Sequence, residues 1–225
     1  MKKAIINFIF LFLLGVVGCT KDKVDTDPAG QIPAVNDGIV FIDGPNLLKN
    51  GGLEVWDHST YYDIPYEWYC HNNHNVKKNI EKVFEGFYSA RMKSVKSGST
   101  ARIDQLVPVS PGYKIRIRFK YYVSKWEENG ARTYCYFRTR QAESSNIPIA
   151  ELRNFYSNEE YYIIRGGGYG LKYLPHALHT WLTFDETITV PPTANYFVFG
   201  VNSYYETTIY VDDCCVCELI PIISK

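Results

Sequence analysis

The segment Lys114–Val123, with the sequence KIRIRFKYYV, decides the fold of this 225-residue chain. Its side chains alternate between two sets. The apolar set, predicted to face a core, is Ile115, Ile117, Phe119, Tyr121 and Val123. The mostly basic set, predicted to face away from it, is Lys114, Arg116, Arg118, Lys120 and Tyr122. A period of two over a segment of this length predicts a half-buried β-strand, because successive side chains of a strand point to opposite faces.

Turn signals flank this strand on both sides. Pro111-Gly112 precedes it, and Asn129-Gly130 follows it, directly before the strand-like run Arg132–Arg140. Asn-Gly tolerates the positive φ angles of a tight hairpin. A strand ending near Lys125 is therefore predicted to pair antiparallel with one that starts near Arg132.

Three later segments are rich in β-branched and aromatic residues and are bounded by Pro, Gly or Asn, namely 180–190, 196–202 and 208–219. The segment Ile147–Phe155 predicts one short helical turn. The rest of 141–180 is irregular, and its glycine-rich run 165–170 indicates a flexible loop rather than a phosphate cradle, which needs a following helix. Regularly spaced strands without crossover helices predict an all-β antiparallel sandwich.

The N-terminus resembles the export signal of bacterial lipoproteins. Two lysines precede an apolar run, 4–17, which is short for a membrane span, and the segment LGVVGC ends at Cys19. The resemblance implies a signal peptide over 1–18 and a lipid on Cys19. Residues 19–44 are predicted to be a flexible tether and 45–225 the folded domain, with order beginning near Ile39 or Pro45. The predicted location is the outer membrane or cell surface.

Charge and cysteine content limit the partners and the redox chemistry that the sequence allows. Lys plus Arg and Asp plus Glu both number 24, so nothing predicts a nucleic-acid partner. Aromatic residues make up 16% of the chain, with 19 tyrosines, which suits strands and binding surfaces. The cysteines after Cys19 are predicted to be small buried thiols, although a disulfide from Cys215 or Cys217 to Cys70 or Cys135 remains an alternative.

Four ordered segments resemble the jelly-roll carbohydrate-binding modules of the cellulose- and xylan-binding type, which belong to the galactose-binding-like sandwiches. They are NLLKNGGLEVWD at 46–57, EGFYSARMK at 85–93, the region 101–123 with its Pro-Gly turn, and the region 179–216 that ends in IYVDDCCV. The resemblance implies an antiparallel jelly-roll β-sandwich that binds carbohydrate. The long glycine-rich insert and the cysteine-rich last strand depart from the family pattern.

The same resemblance implies a structural calcium ion at the rim of the sandwich. Its carboxylate ligands would be Glu54, in the opening motif, and Asp212, in the last strand. Calcium takes six to eight oxygen ligands, so such an ion could join the first strand to the last. The alternative is that both are solvated residues of the rim.

A ligand-binding face is predicted from the alternation of side chains. If the hairpin pairing holds, one outer sheet face carries Arg116, Arg118, Tyr122, Tyr134, Tyr136 and Arg138, and Trp68 is a further candidate contact. Aromatic rings stack on sugars, and guanidinium groups bind carboxylates in a bidentate manner. The set therefore predicts an acidic glycan, for example one with uronic acid. The alternative is a solvated basic face balanced by Asp and Glu on neighbouring strands.

The sequence carries no hydrolase motif, so we expect carbohydrate binding without catalysis, with further surface glycan-utilisation proteins as additional partners. Two other functions remain alternatives at this point. One is a structural or adhesive surface protein that binds another protein, and the other is a glycoside-active enzyme built on a jelly roll.

Overall fold

The computed structural model describes residues 39–58, 63–95, 99–126, 130–164 and 173–223. The predictions about the signal peptide, Cys19, the tether up to residue 38, Asn129 and the glycine-rich run lie outside these residues. Within the described part of the chain, no helix is both long and apolar enough to cross a membrane.

The described chain is built mainly of β-strands. These are β1 (Ile39–Asp43), β2 (Trp56–Asp57), β3 (Ile64–Pro65), β4 (Tyr69–His71), β5 (Val76–Asn79), β6 (Ser89–Lys93), β7 (Ala101–Pro108), β8 (Lys114–Lys125), β9 (Ala131–Thr133), β10 (Tyr136–Arg138), β11 (Trp181–Thr189), β12 (Tyr196–Ser203) and β13 (Thr208–Ile223). Two short helices interrupt them, α1 (Ile149–Phe155) and α2 (Asn158–Ile164). Helix α1 confirms the helical turn expected there, whereas α2 lies in a region predicted to be irregular.

The strands form two antiparallel sheets. The six-stranded sheet has the order β11-β8-β13-β6-β5, with β1 also paired to β13. The five-stranded sheet has the order β10-β12-β7-β4, with β9 also paired to β12. From β7 onward the chain crosses between the sheets at nearly every connection, which is the topology of a jelly roll. The predicted fold class, an antiparallel jelly-roll β-sandwich, is confirmed.

The core lies between the sheets because each strand turns its apolar side chains inward. Strand β8 buries Ile115, Ile117 and Phe119 completely, as the period of two predicts. The ring of Phe119 stacks on Phe184 of the same sheet with centroids 4.9 Å apart, and it meets Phe199 of the opposite sheet edge-on at 5.6 Å. This aromatic group joins the two layers through direct ring contact.

The predicted hairpin after β8 is wrong. Strand β8 pairs with β11 and β13 in the six-stranded sheet, whereas β9 and β10 pair with β12 in the other sheet. The apolar residues Cys135 and Phe137 are fully buried, and Phe137 packs on Phe197 of β12 at 5.0 Å. Burial against β12, rather than the turn signal near Gly130, therefore determines the partner of these strands.

The connection between β10 and β11 extends the edge of the five-stranded sheet. The N–H of Thr139 donates to the carbonyl of Ser145 at 3.0 Å, and the N–H of Ile147 donates to that of Phe137 at 2.9 Å. Helix α1 follows directly and buries Leu152, which is 1% exposed. The segment 145–148 is therefore fixed beside β10 by backbone hydrogen bonds and by the anchored helix.

The first strand of the described chain, β1, covers Ile39–Asp43, which the predicted boundary at residue 45 placed in the tether. Strand β1 pairs with β13 along its whole length. Asn46 then holds the opening segment to β13, because its side-chain amide donates to the carbonyl of Cys214 at 2.9 Å and its oxygen accepts the N–H of Val216 at 3.1 Å. The first and last parts of the folded unit are thus joined at one rim.

Candidate functional site

The predicted ligand-binding residues lie on two opposite faces of the sandwich. Arg116, Arg118 and Tyr122 belong to β8 and lie on the outer face of the six-stranded sheet. Tyr134, Tyr136 and Arg138 lie in and before β10, on the other sheet. The single face that the hairpin pairing implied therefore does not form.

On the six-stranded sheet, Arg116 is held by carboxylates of this chain. Its guanidinium donates to both oxygens of Asp185 at 2.7 and 2.6 Å, and to Asp43 at 3.0 Å. These contacts tie β11 and β1 to β8. The alternative interpretation of this basic row, a face balanced by acidic neighbours, applies to Arg116.

The aromatic member of that row is also enclosed. Tyr122 is 8% exposed and packs against Trp181 at 5.6 Å and Tyr210 at 5.8 Å. Trp181 lies on this outer face, half-buried, opposite Tyr122 in the register. Packing between neighbouring strands, rather than an open groove, accounts for these rings.

The outer face of the five-stranded sheet carries a cleft of about 360 Å³. Its floor is formed by Arg102, Tyr134, Tyr136 and Arg138, and its wall by the segment that begins at Glu143. Clefts that bind small molecules usually measure about 300–1,000 Å³, so this one can hold a short ligand. Three of the seven predicted ligand residues thus meet in one place.

Asp104 lies at the centre of this face, paired with Arg102 on the same strand. The Nε of Arg102 lies 2.8 Å from a carboxylate oxygen of Asp104. Burial raises the pKa of Asp104 to about 6, although the positive charge of Arg102 opposes the rise. The carboxyl group therefore changes its charge near pH 6, beside Arg102 of the cleft floor.

The tyrosine rings of the cleft are in contact with guanidinium groups. Arg102 lies 4.8 Å from the centroid of the Tyr134 ring, and Arg138 lies 5.2 Å from that of Tyr136. Tyr134 and Tyr136 meet edge to face at 6.3 Å. Cation–π contacts of this kind fix the orientation of the rings before a ligand arrives.

Arg138 is the most enclosed cation of the face, at 6% exposure. Its Nε donates to the side-chain oxygen of Asn146 at 2.8 Å, and its other nitrogens donate to the Gln141 carbonyl at 3.0 Å and the Tyr136 hydroxyl at 3.1 Å. Arg138 thus fastens the wall of the cleft to its floor.

A polar network adjoins the cleft on strands β9 and β12. Arg132 lies over the ring of Tyr204 at 4.6 Å and donates to its hydroxyl at 2.5 Å. Asn202 donates to the same hydroxyl but keeps its buried side-chain oxygen without a hydrogen-bond partner among the described residues. An unsatisfied buried acceptor of this kind is uncommon in folded proteins.

Gly200 allows close packing between β12 and the segment before β10. It lies opposite Asp104 in the register of β12 and β7. A Cβ at this position would lie 2.6 Å from the carbonyl oxygen of Tyr134 and 3.2 Å from the Cβ of Asp104. The absence of a side chain thus allows the Tyr134 backbone to approach β12.

Trp68 does not contribute to the surface. It is 4% exposed, its ring packs edge-on against Phe199 at 6.0 Å, and its indole N–H donates to the carbonyl of Asn50 at 3.1 Å. The neighbouring Tyr69 is instead 59% exposed and lies beside Asp104 on the same face. The exposed aromatic ring of this segment is therefore that of Tyr69, and not that of Trp68 as predicted.

The sequence interpretation also missed Arg102 and Asp104. The run ARIDQLV alternates polar and apolar residues, which was sufficient to place both on one outer face of a strand. No local signal shows that this face adjoins Tyr134, because the two segments are joined only through β12.

The carboxylates predicted to bind calcium converge on one loop, residues 84–88. Asp212 accepts the backbone N–H groups of Phe84 at 2.8 Å and Glu85 at 3.3 Å. Glu54 accepts that of Phe87 at 3.0 Å. Burial raises the pKa of Asp212 to about 6, and the negative charge of Glu54 adds to the rise. Within the described residues, no three His, Cys, Asp or Glu side chains are arranged to hold a metal ion.

The five cysteines of the described chain are free thiols. Cys135, Cys214, Cys215 and Cys217 are buried, whereas Cys70 is partly exposed. The prediction of small buried thiols is confirmed for these four, and none of the open disulfide pairings is present among the described residues.

Comparison with known proteins gives likenesses of fold only. No protein-family model matches the sequence, and no curated protein matches it. Solved structures that resemble the fold include the enzymatically active domain of tailspike protein 4 of bacteriophage CBA120, with a TM-score of 0.45 and 12% identity over 77% of this chain and 21% of that chain. A family 16 carbohydrate-binding module has a TM-score of 0.45 and 14% identity, over 76% of this chain and 99% of that one. A family 4 module has a TM-score of 0.44 and 17% identity, over 76% and 98%.

This chain therefore spans about a fifth of the length of the tailspike chain. The neighbours are mostly carbohydrate-binding modules with β-sandwich folds, and at these identities the likeness concerns the fold alone. The assignment of the fold rests on the strand pairing of this chain itself.

Proposed function

We propose that this protein binds carbohydrate, without catalysis, through the cleft on the outer face of its five-stranded sheet. The observation that carries the proposal is the meeting of Tyr134, Tyr136, Arg102 and Arg138 around one cleft of about 360 Å³. Tyrosine offers a flat apolar face to a sugar ring and a polar tip to its hydroxyl groups. The carbohydrate-binding modules with a similar fold agree with this proposal but do not carry it.

Within this proposal, the preferred ligand is an acidic polysaccharide. Arg102, Arg132 and Arg138 face this side of the sheet, against the carboxylates of Asp104 and Glu143. Guanidinium groups bind carboxylates in a fixed bidentate geometry, which suits the uronate groups of an acidic glycan.

The test is binding of the purified domain to a panel of acidic and neutral polysaccharides, including polygalacturonate, alginate, xylan and cellulose. Tyr134→Ala should weaken binding by about tenfold, which corresponds to the loss of about 1.4 kcal/mol of aromatic contact. Binding that is unchanged in Tyr134→Ala would exclude this cleft. If no polysaccharide binds and a protein partner is captured instead, the adhesive alternative is correct. Hydrolysis of any polysaccharide in the panel would show that the protein is an enzyme.

The opposite face supplies the matched control. Because Arg116 is already held by Asp185 and Asp43, the double variant Arg116→Ala, Arg118→Ala should bind the acidic polysaccharide as the unchanged protein does. A loss of binding in this variant at unchanged folding would move the site to the six-stranded sheet.

The location and the calcium ion belong to the same proposal. The lipid on Cys19 would hold the domain at the outer membrane or cell surface, where other glycan-utilisation proteins would be its neighbours. Labelling with a radioactive fatty acid tests this, with Cys19→Ala as the variant that should not be labelled.

Glu54 and Asp212 would supply two of the calcium ligands, with backbone carbonyls completing the set. The convergence of both carboxylates on the loop 84–88 supports this placement. Calcium should then raise the Tm above its value in chelator, and an equal Tm in both would show that backbone amides alone balance the two charges.

A further inference from the structure

We propose that the cleft takes the end of a glycan chain rather than its middle. This inference rests on the proposed function and adds to it the part of the polymer that is recognised. It follows from the connection between β10 and β11, which closes one side of the cleft.

The floor of the cleft crosses the strands of the sheet. Arg102 lies on β7, Gly200 on the neighbouring β12, and Tyr136 and Arg138 on β10. A sugar chain bound along this floor would run across the strands, from the side of β4 toward β10. On the β4 side, Tyr69 and His71 are exposed, so a ligand can continue outward there.

On the β10 side a ridge formed by Asn146, Ile147 and Pro148 stands across this path. These three residues line the cleft and also line a second hollow on their far side, which contains Thr139 and Glu151. They therefore separate the two spaces. A chain that follows the floor across β10 meets the ridge instead of passing into the second hollow.

The ridge is held in place by hydrogen bonds to β10. The Asn146 side chain accepts a hydrogen bond from Arg138 at 2.8 Å, and the N–H of Ile147 donates to the carbonyl of Phe137 at 2.9 Å. Ile147 is 5% exposed. A wall that is hydrogen-bonded to the floor and anchored in the core resists displacement by a ligand.

The ridge also offers the terminal sugar an apolar contact. Ile149, at the start of α1, lines the cleft and is 41% exposed. The last sugar of a chain would lie between this side chain and the ring of Tyr136, while the following sugars run toward Tyr69.

The test compares polygalacturonate and alginate with size-fractionated oligomers of each, using titration calorimetry on the whole exported domain. For recognition of chain ends, the moles of protein bound per mole of chain stay constant as the chain lengthens. For recognition of the middle, that ratio rises in proportion to length, which would overturn the inference while leaving the proposed function intact. Absence of binding to any length of either polymer and to the rest of the panel would overturn both.

A pair of variants adds a readout at the ridge. Ile149→Ala should weaken binding of the shortest bound oligomer by about fivefold, which corresponds to about 1 kcal/mol of lost apolar contact. Ile80→Ala is the matched control, because Ile80 is 72% exposed in the turn after β5 and lies outside the lining of the cleft. Equal affinity of Ile149→Ala and Ile80→Ala would exclude contact of the terminal sugar with the ridge.

Discussion

Replacing Asp104 by asparagine tests the electrostatics of the cleft through the pH dependence of stability. Asp104 is 7% exposed, and its pKa rises from 3.8 to about 6 because burial disfavours the charged carboxylate. The folded state therefore holds the proton more tightly than the unfolded chain does. The contribution to the free energy of unfolding is fully present below a pH of about 4 and is lost as the pH rises to about 6.

The magnitude follows from the same two values. Raising a pKa from 3.8 to about 6 corresponds to about 3 kcal/mol, at 1.36 kcal/mol per pKa unit. Asparagine has nearly the same shape and does not titrate, so Asp104→Asn should lose this slope. Among the groups that face Asp104, Arg102 and Arg138 lower its pKa and Glu143 raises it, while Asp104 in turn raises the pKa of its neighbours Tyr136 and Cys70.

The assay is urea unfolding of both proteins at several pH values between 4 and 7. Asp212 also has a pKa of about 6, but it is present in both proteins and cancels in the difference between them. The free energy of unfolding of the unchanged protein should fall by about 3 kcal/mol relative to that of Asp104→Asn across this range. Parallel pH curves for the two proteins would refute the argument, because Asp104 would then titrate as it does in the unfolded chain.

Three further expectations follow from the same geometry. Gly200→Ala places a Cβ 2.6 Å from the Tyr134 carbonyl, so it should lower stability by about 1–3 kcal/mol and weaken glycan binding. Gly52→Ala is the control, because its Cβ would make only an ordinary contact, 3.8 Å from the Cγ of Glu54. Phe119→Ala should cost about 3–5 kcal/mol in urea unfolding, because the ring is fully buried between both sheets, and a cost below about 1 kcal/mol would contradict that packing. Arg116→Ala should cost about 1 kcal/mol, less at high salt, and a salt-independent cost would exclude its ion pairs as the cause.

The sequence was sufficient for the strands but not for their partners. The alternation in β8 predicts its two faces, since one side must be buried and the side-chain period of a strand is two. The Asn129-Gly130 signal is local, and it cannot specify whether the next strand stays in the same sheet. That choice depends on the burial of Phe137 against Phe197, a contact between segments that are far apart in the chain.

The candidate site was predictable in part for the same reason. Tyr134, Tyr136 and Arg138 follow from alternation alone, and the structure places them together in one cleft. Arg102 joins them only through the order of β7, β12 and β10, which no local pattern encodes. Trp68 was misplaced because a position in a loop does not reveal whether its ring turns toward Phe199 or toward solvent.

The two basic faces of the sandwich differ in how their charges are balanced, and this difference favours the five-stranded sheet for an anionic ligand. On the six-stranded sheet, Asp185 and Asp43 both bind Arg116, so an incoming carboxylate would have to displace two formed ion pairs. On the five-stranded sheet, the carboxylate nearest to Arg102 is Asp104, which is protonated below a pH of about 6.

Protonation of Asp104 leaves Arg102 with a weaker internal counter-ion. The affinity for a uronate-bearing glycan should therefore increase as the pH falls from 7 toward 5, a range in which ordinary carboxylates stay ionised. In Asp104→Asn this increase should disappear, because the weakened counter-ion is then present at every pH. A neutral oligosaccharide bound in the same cleft should show little of this dependence, so the comparison separates the acidic preference from the binding of carbohydrate itself.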